Sequence, residues 1–325
     1  AMGTSLKTLS DLLYRYYAKN VILLIDEYDN FTNTILSTYG TEYYQKATHG
    51  EGFVRGFFNV IKAATTGTGS ALQRMFITGV SPVTMDDVTS GFNIGTNITT
   101  DPWFNDLVGF SEAELREMLT YYKEQGVLMQ TVDETIVMMK PNYDNYCFSE
   151  EKLAQCMFNS DMALYFMKSF VLHHVNPKEI VDPNIRTDFN KLAYLIRLDH
   201  GLGENFSVIK EIAEQGEITT DIATHFSALE MTDVRNFKSL LFYFGLLSIK
   251  GVDMVGRPIL HVPNLVVREQ LFSFLIRGYI KHDIFKIDMN RMTMLFENMA
   301  FRGDWKPLFN FIAEAIREQS RIREY

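Results

Sequence analysis

The sequence predicts an α/β fold: a small parallel sheet near the N-terminus, then a long helical region containing a β-hairpin. Three observations carry this prediction. Val21-Ile22-Leu23-Leu24-Ile25 is an aliphatic run without alternation, as expected of a strand buried on both faces of a parallel sheet. Leu72 to Val80 is a second short apolar run, and residues 51–65 between the two have helical periodicity. Beyond about residue 110, helical patterns dominate.

Each element follows from local pattern. In residues 5–19, Leu6, Leu9, Leu12, Leu13, Tyr16 and Tyr17 recur at the spacing of an amphipathic helix. Thr65–Ser70 and the Gly-, Asn- and Thr-rich stretch from Gly91 to Asp106 read as loops. Ser111-Glu112-Ala113-Glu114 has the form of a capped helix start, with acids near the positive end of the helix dipole, and Gly126 ends that helix. Further helical patterns cover Asp161–Val175, Asp188–Leu198, Val234–Leu247 and Trp305–Arg323, and residues 283–325 read as helical throughout. Leu246–Lys250 and Ile259–Val262, separated by Gly251, Gly256 and Pro258, predict the hairpin. The expected division is 1–110 for the α/β unit, 111–180 for a helical segment, and 181–325 for a helical domain with winged-helix character around Val234–Val262.

Composition narrows the function classes. The 325 residues are 46% hydrophobic and 22% charged, an ordinary globular balance. The formal net charge of −9 disfavours a nucleic-acid surface spread over the whole molecule, which would need clustered Lys and Arg. No run is long and apolar enough for a membrane span, and the N-terminus lacks signal-peptide character. The two cysteines, Cys147 and Cys156, fit no metal-ligand or CxxC spacing and read as free thiols in a reducing cytoplasm.

The chemistry concentrates where the first strand ends. In VILLIDEYDN (Val21–Asn30) three acids follow the aliphatic run: Asp26, Glu27 and Asp29. Ligands of parallel α/β sheets gather at the carboxyl ends of the strands. The pattern is that of a Walker B strand in a P-loop NTPase, with Asp26 on a magnesium ion, through water, and Glu27 polarising the attacking water. The same pattern also arises where acids merely end a buried strand. Met75-Phe76-Ile77-Thr78-Gly79-Val80-Ser81-Pro82 would be the neighbouring strand, with Thr78 and Ser81 placed to hydrogen-bond water or a γ-phosphate. Arg74 precedes it, and a surface role is the simpler reading. His173 and His174 have no partner at ligand spacing. Tyr143–Phe148 reads as a structural turn with buried rings, and the 16 Met and 25 Phe as core.

No GxxxxGK[ST] occurs in the 325 residues, and Gly67-Thr68-Gly69-Ser70 has no lysine in register. The 20 residues ahead of Val21 are too few for a strand, a phosphate loop, a helix and a second strand. The expectation is therefore half of a nucleotide site, one that binds nucleotide poorly alone.

The chain resembles a bacterial AAA-ATPase-like family that pairs a P-loop ATPase with a C-terminal PD-(D/E)XK nuclease-like domain. The resemblance rests on VILLIDEYDN, on RMFITGVSPVTMDDV (Arg74–Val88) and on FNIGTNITTDPWFNDLVGFSEAEL (Phe92–Leu115). Asp182–Leu192, Asn236–Leu247 and Val262-Pro263-Asn264 with Arg268-Glu269 extend it over nearly the whole chain. Tyr143–Phe148 is similar to a family motif W/N-Y-D-G-Y-R-F, but with Asn145 for the glycine and Cys147 for the arginine. The resemblance implies a partial AAA-like sheet followed by a mostly helical lid. It also implies ATP and Mg2+ as cofactors of the intact protein, possible homo-oligomers, and nucleic acid reached through the nuclease-like domain. Two alternatives from other classes are a non-catalytic protein-interaction module and a winged-helix DNA-binding regulator.

Overall fold

The computed structural model describes residues 2–65, 70–82, 95–173, 177, 203–281 and 287–320. The helix expected at 188–198, the segment 182–192 and His174 lie outside the described residues. The fold is mixed α/β, mostly helical, with one small parallel and one small antiparallel sheet. The chain divides into two compact units, Ala1–Leu271 and Phe272–Tyr325.

The first unit opens with α1 (Met2–Tyr17), β1 (Val21–Ile25), α2 (Asn30–Thr48), α3 (Phe53–Thr65) and β2 (Leu72–Ile77). β1 and β2 pair in parallel, with Leu23 opposite Met75 and Ile25 opposite Ile77. Val54, Phe58, Ile61 and Ala64 form the apolar stripe of α3 and pack with Leu72 against Val21, Leu23, Ile25, Met75 and Ile77. Leu6 of α1 joins the same cluster.

The expectation that β1 is buried on both faces is not met. Its burial alternates, and Ile22 and Leu24 are 61% and 72% exposed. Phe76, opposite Leu24, is also exposed. The physical reason is layering: α1 and α3 cover one face of the pair, and among the described residues no second layer covers the other. The sequence reading also passed over α2. That helix is interrupted at Gly40 (φ 80°, ψ −179°), which breaks the periodicity that marks a helix.

The middle of the unit is a helical cluster of α4 (Glu112–Glu124), α5 (Val132–Tyr143) and α6 (Ser160–His173). α4 starts as expected, in a capping box between Ser111 and Glu114. α5 starts in a second, between Thr131 and Glu134, which the sequence reading missed because Pro141 lies within the pattern. Leu115, Leu119, Ile136, Met139, Tyr143, Phe166 and Phe170 form the core between these helices. Ion pairs from Arg116 to Glu112 and Asp133, and from Lys140 to Glu112, tie α4 to α5 at the surface. Both Lys140 and Arg116 hold the Glu112 carboxyl below its usual range, but exposed pairs of this kind stabilise little.

The rest of the first unit contains α7 (Glu204–Gln215), β3 (Glu217–Thr219), α8 (Val234–Tyr243), β4 (Ser248–Val252), β5 (Pro258–His261) and the start of α9 (Leu265–Lys281). The expected hairpin is present as β4 and β5, and β3 adds to it in an antiparallel sheet ordered β3-β5-β4. α8 stops at Tyr243 rather than Leu247, because Gly245 takes a left-handed conformation (φ 70°) that turns the chain out of the helix.

The Tyr143–Phe148 turn joins this sheet to the helical cluster. Tyr143 and Tyr146 are buried as expected. Ile249 N donates to Cys147 O (3.1 Å) and Asn145 Nδ2 to Pro263 O (2.9 Å). Asn145 itself is left-handed (φ 75°), a conformation asparagine tolerates better than most residues, so it stands readily where the resembling motif carries glycine.

The second unit includes α10 (Met289–Arg302) and α11 (Lys306–Ser320), joined through left-handed Gly303. Its buried apolar residues include Leu308, Phe311 and Ala315, with the Arg291 guanidinium over the Phe311 ring at 5.0 Å. No helix among the described residues is long and apolar enough to cross a membrane.

Candidate functional site

The parallel register sets the two strand ends side by side. Because Ile25 pairs with Ile77, the next residues, Asp26 and Thr78, leave the sheet together. Thr78 N donates to Ile25 O (2.8 Å), and Tyr28 N donates to Thr78 O (3.0 Å), carrying the ladder one step beyond the strands. The Thr78 hydroxyl donates to Asp26 Oδ1 in a short hydrogen bond, and Glu27 N donates to the same oxygen (3.0 Å). Asp26 Oδ2 has no hydrogen bond from the described residues, and the side chain is exposed.

Glu27 is exposed and left-handed (φ 50°). A non-glycine residue there is strained, and such strain collects at functional turns. Asn30 Nδ2 donates to Glu27 Oε2 (2.8 Å), fixing the carboxylate at the mouth of the strand ends.

Asp29 behaves differently from its two acidic neighbours. It is 1% exposed. Its Oδ1 accepts from Val80 N (3.0 Å), and its Oδ2 accepts from Ser81 N (3.0 Å) and the Ser81 hydroxyl (3.2 Å). It occupies the N-cap position of α2 without making a side-chain cap hydrogen bond, and reaches across to the segment leaving β2. The Tyr28 hydroxyl donates to Ser81 O in a short bond that closes the same bracket. Of the four residues singled out from sequence, three are thus brought together: Asp26, Glu27 and Thr78. Ser81 lies on the same turn, but it is buried and its hydroxyl is directed to Asp29.

Sequence reasoning missed Asp29, Tyr28 and Gly79 as the parts that hold this turn. The available signal was the third acid itself, directly ahead of a helix start, where an aspartate normally caps its own helix. Gly79 is required by close approach: a Cβ there would lie 2.3 Å from the Tyr28 ring and 2.7 Å from Asp29 Oδ1. The Gly79→Ala variant is expected to lose about 1–3 kcal/mol from overpacking. Hydrogen exchange at the β1 and β2 amides, against the unsubstituted chain, measures this; unchanged protection would refute it.

The donor set fits a hydrated magnesium ion. Mg2+ takes oxygen ligands and commonly binds through one or two carboxylates while keeping several waters. Asp26 offers a carboxylate oxygen that is unbonded among the described residues, with the Thr78 hydroxyl and Glu27 beside it. Among the described residues no group of three His, Cys, Asp or Glu side chains stands close enough to form an all-protein cage. A cavity of about 390 Å³ lined by Pro141, Ile212, Gly216, Val262, Asn264 and Arg268 shares no residue with these acids.

With this geometry established, one comparison bears on its origin. Residues 1–89 match the family model described as predicted AAA-ATPase. The match supports the AAA-ATPase-like family for this segment, which contains β1, β2 and all the acids above. The resembling segments beyond residue 89 lie outside the matched span. No curated protein and no solved structure matches the chain.

Proposed function

We propose that the AAA-ATPase-like segment is the magnesium-side half of an ATP-hydrolysing P-loop site, with β1 as its Walker B strand. The observation that carries this reading is the Asp26–Thr78 hydrogen bond at the carboxyl ends of two parallel neighbouring strands. A lone strand ending in acids would not set a hydroxyl of a second strand against the first acid. In this reading Asp26 holds Mg2+ through water, and Asp26 Oδ1 is oriented by Thr78 and by Glu27 N. Glu27, locked by Asn30, accepts a proton from the attacking water, and Thr78 helps to position that water. Ser81 anchors the turn through Asp29. The bound magnesium ion would offset charge on the β- and γ-phosphates.

No phosphate loop motif occurs in the 325 residues, so the reading takes that loop from outside them. The open face of Ile22, Leu24 and Phe76 supports a sheet that gains further layers in the working protein. The family resemblance supports the reading that this protein is cytoplasmic and can form homo-oligomers, with ATP hydrolysis coupled to a nuclease-like or DNA-directed activity.

The test uses the chain as it stands. Mn2+ titrated as a magnesium substitute is expected to broaden the amide resonances of Asp26, Glu27 and Thr78 selectively, and Asp26→Asn is expected to abolish this. Broadening spread over the acidic surface without preference for these three would overturn the metal assignment. Calorimetry is expected to show only weak Mg-ATP binding, and tight binding would show that these residues contain a complete site.

A specific observation favours a winged-helix-like arrangement in the later region. α8 leads into the β4–β5 hairpin, and β3 completes a three-stranded antiparallel sheet. Its surface argues against reading DNA. Phe237, Leu240 and Leu241 of α8 are buried, exposed Arg235 is paired with Asp221, and the hairpin tip presents Met254 and Val255. This region therefore fits a protein-contacting module better than a phosphate-binding one.

A further inference from the structure

The two cysteines are separated in sequence by a loop, and the fold closes that loop on itself. Tyr146 N donates to Met157 O (3.1 Å) and Met157 N to Tyr146 O (2.7 Å). This reciprocal pair is the hydrogen-bonded position of an antiparallel bridge. The next facing residues on its loop side, Cys147 and Cys156, then take the non-hydrogen-bonded position. There opposite Cα atoms approach to about 4.5 Å and the side chains lie on the same face. Disulfides span Cα separations of about 4.4–6.8 Å, so the backbone already has the spacing a bridge needs.

We propose that Cys147 and Cys156 are a modification site: a dithiol pair that closes reversibly to an intramolecular disulfide across the base of the 148–155 loop. The two thiols are free: Cys147 Sγ donates to Ser149 O (3.1 Å) and Cys156 Sγ to Leu153 O (3.5 Å). The neighbouring Cys156 thiol and the bond to Ser149 lower the Cys147 thiol to about 7 against the opposing effect of its burial. The Cys147 thiol and burial raise the partner thiol in turn. Cys147 is fully buried and Cys156 is half-exposed, so an oxidant reaches Cys156 first.

The surroundings fix one partner. Cys147 N donates to the Ser248 hydroxyl (2.7 Å) and Cys147 O accepts from Ile249 N (3.1 Å), which hold its backbone against β4. Asn105 holds the loop from the other side, accepting from Phe148 N and Ser149 N and donating to Gln155 O. Closure therefore needs no rearrangement of the strands.

The oxidant is a small-molecule disulfide. Cys156, the accessible thiol, gives its proton to the Cys147 thiolate as it attacks one sulfur of the small disulfide; a new S–S bond forms, the old one breaks, and one small thiolate leaves. Cys147 then gives up its proton and attacks Cys156 Sγ, forming the internal bond and expelling the second small thiolate. The two protons released by the cysteines end on the two small thiols. Two protein thiols are oxidised and one disulfide is reduced.

The test equilibrates the folded full chain in glutathione redox buffers, quenches with acid, alkylates, and maps the peptides by mass spectrometry. The expected product is a peptide pair linked through Cys147 and Cys156, two hydrogens lighter, that returns to two alkylated thiols on reduction. Cys147→Ser is expected to give only the Cys156 glutathione adduct. Two free thiols at every buffer ratio, or separate glutathione adducts on both cysteines of the unsubstituted chain, would overturn the proposal. Because the deciding measurement is made on the unsubstituted chain, a variant that failed to fold would not obscure the result.

Discussion

Asp29→Ala is expected to destabilise the N-terminal layer by about 3–4 kcal/mol, since each buried backbone donor left unsatisfied costs about 1–3 kcal/mol. The donors are Val80 N and Ser81 N, both directed at a carboxylate that is 1% exposed. The Ser81 hydroxyl loses its acceptor as well. Urea unfolding should show an early transition, with the β1 and β2 amides exchanging first. Asp29→Asn keeps one acceptor oxygen and should fall between the two. The exposed acid Asp26, truncated in the same way, should change stability far less while removing the proposed metal ligand. An Asp29→Ala chain with an unchanged transition would show that the bracket between α2 and the β2 exit carries no weight.

Asn105→Leu should be of similar size, about 3 kcal/mol and ~5 °C in melting temperature. Asn105 is 2% exposed and meets three backbone groups at once. Its Oδ1 accepts from Phe148 N (3.0 Å) and Ser149 N (3.1 Å), and its Nδ2 donates to Gln155 O (2.9 Å). Leucine keeps the branched outline of asparagine and opens no cavity, but it meets none of the three groups. A differential scanning trace of the two chains checks this. A shift within scan error would mean that the loop is held by its antiparallel bridges alone.

What was legible in the sequence was local. The aliphatic run of β1, the stripe of α3, the Ser111–Glu114 box and the β4–β5 hairpin each announce themselves within one window of residues. The proximity of Asp26 to Thr78 was legible only through family pattern, because it depends on a register set between distant strands. Asp29 was visible as an acid but not as a buried one: burial is decided by the turn after β2, whose Gly79 admits the Tyr28 ring. α2 and α5 were obscured by Gly40 and Pro141, single residues that contradict an otherwise helical pattern yet sit where the chain tolerates them. The pairing of Cys147 with Cys156 was hidden for the opposite reason. Their spacing matches no motif, and only the Tyr146–Met157 bridge brings them face to face.

The register of β1 with β2 also has a kinetic consequence. Asp26 and Thr78 are 52 positions apart, and Asp29 and Val80 are 51 apart. Each of these contacts closes a loop that contains two whole helices, and the entropy of that closure must be lost before any of the contacts is gained. The α4–α5 pair, by contrast, is built from neighbours in the chain and can form early. The acids at the strand ends therefore reach their final positions late in folding, after the helices that flank them.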